Sequence, residues 1–154
     1  MPNGNEVGSE KFTYKLNFFE KLHAHLASLQ KHEEIVVIGG DYNVAPQNGD
    51  VYDAQKLEGS ICFHPNERAA LRRIEHMGYL DAYRLKHPLP MGNDDFTWWD
   101  YRAGAFAKGN GMRIDHLMIS PQAADRLTDC QVHRDLRGTE KPSDHVPVVG
   151  SFEI

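Results

Sequence analysis

The 154-residue chain contains no apolar run near the ~20 residues needed to cross a bilayer. Nor does it open on a charged-then-apolar leader, so no membrane span and no secretory signal are expected. There is no internal repeat or biased tract, which excludes a solenoid or a low-complexity tail. Cysteine is scarce: Cys62 and Cys130 stand alone and form no CxxC pair. Two lone thiols fit a reducing, cytoplasmic setting better than a disulfide framework. Surplus positive charge is missing too. The formal net charge of −5 argues against a protein held to nucleic acid by bulk charge. It leaves room for one whose carboxylates bind cations and whose Lys and Arg gather on one face.

What is present fits one α/β domain, residues 1–154, with 40% hydrophobic residues for a real core. Phe12, Leu16, Phe19, Leu26 and Leu29 step by three, four or seven, which predicts an amphipathic helix of about four to five turns. The run Ile35-Val36-Val37-Ile38 predicts a strand buried on both faces. Helix followed by strand at this spacing reads as half of a βαβ unit. Gln47 to Ser60 is polar and acidic and reads as a surface loop. A second helix is expected over 65–77, capped by Asn66, with Ala70, Leu71, Ile74 and Met77 on its apolar stripe and Gly78 at its end. Phe96 to Arg102 reads as an aromatic strand on which neighbouring Trp98 and Trp99 face opposite sides, one to the core and one to a site. Gly104 to Gly111 reads as a loop, Arg113 to Ile119 as an apolar strand, 121–127 as a short helix and 131–134 as a weak strand. A final strand runs to Phe152.

Asp41 and Asn43 follow the Gly39-Gly40 pair just beyond the first strand. Open α/β sheets place ligand sites there, and two oxygen-bearing side chains suit a hard cation or an attacking water. A plain Asx turn is the alternative. Asp115, embedded in Arg-Ile-Asp-His-Leu-Met-Ile, is costly to bury unless paired. His145, which opens its own strand in Asp144-His145, is the best candidate partner, and His116 is the less favoured one, since adjacent strand residues point apart. Taken singly, Asp115 could pair with Arg113, Asp144 could serve a turn, and His145 could be a core histidine. Their joint occurrence favours a site.

In sequence order, the pieces Met1-Pro2-Asn3-Gly4-Asn5, Gly40-Asp41-Tyr42-Asn43, Asp81-Ala82-Tyr83-Arg84, Thr97-Trp98-Trp99-Asp100-Tyr101-Arg102, Arg113-Ile114-Asp115-His116 and Ser143-Asp144-His145 resemble the exonuclease III family of abasic-site endonucleases. The resemblance implies a DNA-repair phosphodiesterase dependent on magnesium, with manganese as the alternative. It acts on double-stranded DNA at an abasic site or a 3′ end. It implies catalytic roles for Asp41, Asn43, Asp115 and His145, and metal ligation by Asp41, Asn43 and Asp144. Asn3 would touch phosphate. Trp98 and Met112 would line the pocket for a flipped, baseless sugar. Arg84, Arg102, Lys108 and Arg113 would contact the phosphate backbone.

The same resemblance implies a preceding segment that carries a metal-binding glutamate and an active-site tyrosine. Neither can be assigned here, since Glu6 and Glu10 lie in a turn and at a helix start. The expected fold is therefore the C-terminal half of a four-layer α/β sandwich: one mixed β-sheet with flanking helices. An orphaned apolar sheet face would favour self-association, or pairing with the missing N-terminal half, and low activity of the chain alone. Two other readings stay open. One is a phosphatase or phospholipase of the same superfamily, and the other a non-catalytic half-domain that binds DNA or a partner.

Overall fold

The computed structural model describes residues 1–153. In chain order its regular elements are α1 (Glu10–Gln30), β1 (Val37–Asp41), α2 (Ala54–Leu57), α3 (Pro65–His76), β2 (Leu80–Asp81), α4 (Ala82–Lys86), β3 (Trp98–Trp99), α5 (Ala105–Lys108), β4 (Gly111–Met112), β5 (Asp115–Ile119), α6 (Pro121–Ala124), β6 (Leu127–Val132) and β7 (Val148–Phe152). The Ser9 hydroxyl caps α1 by accepting from the Phe12 amide at 3.1 Å. Phe12, Phe19 and Leu26 are buried at intervals of seven, about two turns each, so one stripe of α1 faces inward. The cap of α3 is His64 rather than Asn66: its Nδ1 accepts from the Asn66 amide at 3.1 Å, while Glu67 reaches back to the His64 amide at 3.0 Å. Leu71 and Ile74 of α3 meet Phe19 and Leu26 of α1, with Tyr42, Tyr79 and Met118 beneath them.

The chain has the α/β class expected of it, but its strands do not form one mixed sheet. Among the described residues they make three small sheets, ordered β1-β5-β2, β3-β4 and β6-β7, and every pairing is antiparallel. No strand precedes α1 among the described residues, so they do not test the βαβ unit expected around it. The first strand is also later and more open than the apolar run implies. Ile35 is 53% and Val37 44% exposed, because β1 is an edge strand packed by helices on one face only. Val36 and Ile38 face the α1–α3 layer, and the face carrying Val37 and Gly39 is uncovered.

Other segments differ from expectation for local reasons. Residues 47–60 are not all surface: Asp50 is fully buried against arginines, and Asp53 caps the single turn α2. The loop expected over 104–111 holds α5 between Gly104 and Gly109, both left-handed. The weak strand expected at 131–134 is the end of β6, whose register is held by β7, and a 3-10 turn starts at Arg134. The aromatic strand shortens to Trp98 and Trp99, paired with Met112 and Gly111.

Candidate active site

Register brings the polar residues together. Asp41, the last residue of β1, lies directly opposite Asp115, the first of β5. The chain then turns: the Asn43 amide donates to Asp41 Oδ1 at 2.7 Å, and Asn43 sits at φ 54°, left-handed. Its side-chain Nδ2 donates to Asp41 Oδ2 at 2.7 Å and to the Met1 carbonyl at 3.0 Å. Its Oδ1 accepts from Asn3 Nδ2 at 2.9 Å. The Asx-turn reading and the site reading therefore describe the same geometry.

On the other side, an isolated bridge joins Trp98 to His145, and the Val146 amide donates to the Thr97 carbonyl at 2.8 Å. The buried Thr97 hydroxyl accepts from the amides of both Ile114 and Asp115, at 3.0 and 3.1 Å. These bonds hold Asp115 beside His145, whose Nδ1 lies 2.8 Å from Asp115 Oδ2. That contact makes Nδ1–H the donor and leaves Nε2 for the cavity. His116 is turned away, its ring bonded to the Val44 carbonyl and to Arg113.

Asp41, Asn43, Asp144 and His145 line one cavity of about 430 Å³, whose apolar wall is Trp98, Met112 and Ile114. Trp99 faces the core, as the alternation along the strand requires. The Trp98 indole N–H donates to Asp144 Oδ2 at 3.1 Å. Two lining residues carry no sequence signal, Ile61 and Cys62. The Cys62 thiol lies 3.8 Å from Asn43 Oδ1, and burial pushes it up to about 12, so it remains a neutral thiol.

Burial raises the Asp41 carboxyl, and the charge of Asp115 adds to this against the Asn43 hydrogen bond. The hydrogen bond that His145 gives to the Asp115 carboxylate raises His145, outweighing partial burial. A raised histidine adds stability that is full below the ordinary value of about 6.5 and is lost as pH rises through the folded-state value. Asp115→Asn is expected to lower the His145 pKa, read by NMR titration of its ring protons. An unmoved titration would show that the 2.8 Å contact is not what charges the ring.

Two expected phosphate contacts are corrected. Arg113 is 1% exposed and bridges Asp50 and Asp81. Arg84 lies between Asp50 and Asp95. Both cations are consumed by carboxylates in the interior. Arg102 is exposed and bonded to Asp100, and Lys108 is exposed at the end of α5. Asn3 stands at the cavity mouth.

The oxygen donors Asp41, Asn43 and Asp144 are of the hard kind that suits magnesium. Among the described residues no three acidic, histidine or cysteine side chains converge on one point, and Asp144 is partly engaged by Trp98.

Known proteins resemble this chain over nearly its whole length. The chain is 33% identical to an exodeoxyribonuclease III of Haemophilus influenzae, over 99% of this chain and 59% of that one. It superposes with TM-score 0.93 and 34% identity on a 3′ phosphatase from Neisseria solved with a product DNA hairpin, covering 99% of this chain and 58% of that one. An abasic-site endonuclease from Archaeoglobus fulgidus matches with TM-score 0.91 and 37% identity, again over 99% of this chain and 59% of that one. The chain thus spans a little over half the length of these relatives. Matched from residue 3 to residue 145 by the model of that family, it belongs to the endonuclease/exonuclease/phosphatase family.

Proposed function

We propose that the chain carries the water- and phosphate-handling part of a DNA-repair phosphodiesterase. Its substrate is duplex DNA, cleaved 5′ to an abasic site or at a 3′-terminal nucleotide. The observation that supports this is one cavity bordered by Asn43–Asp41, by His145 backed by Asp115, and by an apolar wall. Asp41, with its raised proton affinity, orients the attacking water and takes its proton. Asn43 holds that water through Oδ1 and a phosphate oxygen through Nδ2, which releases the Met1 carbonyl to donate there. His145, its proton affinity raised by Asp115, donates to a phosphate oxygen as charge develops. Trp98 and Met112 accept a sugar without its base, since an apolar wall offers nothing to an intact nucleotide's polar edges. Asn3, Arg102 and Lys108 contact phosphates along the strand. Magnesium, or manganese in its place, is the ion, with Asp41, Asn43 and Asp144 toward it and water, phosphate or further protein completing its shell.

In this reading residues 1–154 correspond to the C-terminal part of the family's domain, working in a reducing, cytoplasmic setting. Incubating the purified chain with an end-labelled abasic duplex and magnesium is expected to give slow, EDTA-sensitive incision. Phosphate release from inositol phosphates instead would favour a phosphatase or phospholipase. DNA binding without any turnover would favour a non-catalytic module.

The uncovered face of β1, with Ile35 and Val37 exposed, supports pairing of this chain with a further protein segment or with a second copy. Sedimentation is expected to show concentration-dependent association. A monomer stable over the micromolar range would exclude the self-pairing.

A further inference from the structure

Lys15 is a charged residue on the buried stripe of α1, three residues after Phe12 and four before Phe19, and it is 0% exposed. A buried ammonium is costly unless its donors are used. Lys15 Nζ uses three: it donates to Glu67 Oε1, to the Asn43 carbonyl at 2.7 Å and to the Asn3 carbonyl at 3.1 Å. Glu67 is equally buried, and its second oxygen accepts from the His64 amide at 3.0 Å. One cation therefore joins α1, the start of α3, the loop before α1 and the turn after β1.

The two carbonyls belong to the paired asparagines of the cavity. The left-handed φ of 54° is one that asparagine tolerates, and it fixes which way the Asn43 carbonyl points. At Asn43 it turns the carbonyl inward onto Lys15 while the side chain reaches Asp41. The loop carrying Asn3 closes onto the lysine stem at Gly4, where a Cβ would meet Lys15 Cδ at 3.1 Å.

We propose that Lys15 is a positioning residue. Its buried ammonium, anchored on Glu67, locks the backbones of Asn3 and Asn43 so that their side chains stay paired beside Asp41. The proposal rests on the site reading above and extends it to a side chain that never reaches the cavity.

The test is Lys15→Met combined with Glu67→Gln, which removes the cation without stranding a buried carboxylate. Lys15→Gln combined with Glu67→Gln, which keeps a polar side chain at both positions, is the milder pair should the first not fold. Hydrogen exchange of the Asn43 side-chain amide is followed by NMR against the backbone amide of Met118, on β5 between β1 and β2. We expect Asn43 to exchange at least about tenfold faster while Met118 changes by less than about twofold. Incision of the abasic duplex should lose about tenfold in kcat with KM nearly unchanged, as misplaced catalytic groups do. Unchanged Asn43 exchange, or equal acceleration at Met118, would overturn the proposal and leave Lys15 a merely structural cation. Absence of incision by the unaltered chain would count against the proposed reaction. The NMR comparison would still decide the role of Lys15.

Discussion

Arg113→Met is expected to remove about 3–5 kcal/mol of unfolding free energy, read as a lowered urea midpoint at unchanged slope. Arg113 lies under the site, 1% exposed. Its Nε donates to Asp50 Oδ1 at 2.7 Å, and its Nη1 to Asp81 Oδ2 at 2.6 Å and to His116 Nδ1 at 3.0 Å. Methionine fills much of the same volume but leaves Asp81 with the Tyr83 and Arg84 amides and the His116 ring, and Asp50 with Arg84 and the Gln47 amide, so one cation is lost from between two buried carboxylates. Against a total stability of about 5–15 kcal/mol, such a loss brings the protein close to unfolding. Burial by itself would lift both carboxyls, yet the charge and hydrogen bonds of Arg113, joined by Arg84 at Asp50 and His116 at Asp81, together outweigh it and hold each below the ordinary carboxylate range. Groups lowered on folding add stability that is present above their unfolded value, near 3.9, and lost as pH falls through the folded value. The unaltered chain should thus keep this contribution into strong acid, and the variant should unfold at a milder pH. Arg113→Lys keeps the charge but not the fork that spans two carboxylates, so it should fall between. A cost under about 1 kcal/mol would show that the network is dispensable.

That network also shows where the sequence stops being legible. The partners of Arg113 lie 63 and 32 residues away, at Asp50 and Asp81, and no local spacing announces them. A basic residue beside a catalytic motif reads as a phosphate contact, and the same side chain can instead neutralise buried acids, as Arg84 also does. Layers are hidden in the same way. The apolar run at 35–38 predicts a strand but not which faces are covered, because cover comes from elements distant in the chain. Local rules fared better where the determinant was local. The seven-residue spacing of α1 was legible, as were the opposed faces of Trp98 and Trp99. So was the pairing of Asp115 with His145 rather than His116, since strand alternation disfavours the latter. Lys15 was legible in principle, as a charge at a stripe position, but only Glu67, on another helix, explains it.

Asp41→Asn and His145→Gln should each lower abasic-site incision about 10²–10⁴-fold, the usual worth of a positioned acid or base. Single-turnover assays on the same chain are the measure. The two groups stand on opposite elements, β1 and the segment entering β7, yet border the same cavity. Asn at 41 keeps the shape and can still accept from the Asn43 amide, but it cannot take a proton from water. Gln at 145 can reach Asp115 but carries no charge for a phosphate oxygen. Because both act on one transition state, the double variant should be little worse than the weaker single one. The pH dependence gives a second check. Burial raises Asp41, so activity should fall on the acid side above the ordinary carboxylate range. Asp115 raises His145, so the alkaline fall should come above the ordinary histidine value of about 6.5. Asp41→Asn should erase the acid limb and leave the alkaline one, and His145→Gln the reverse. A limb that survives loss of its own residue would assign that proton to another group.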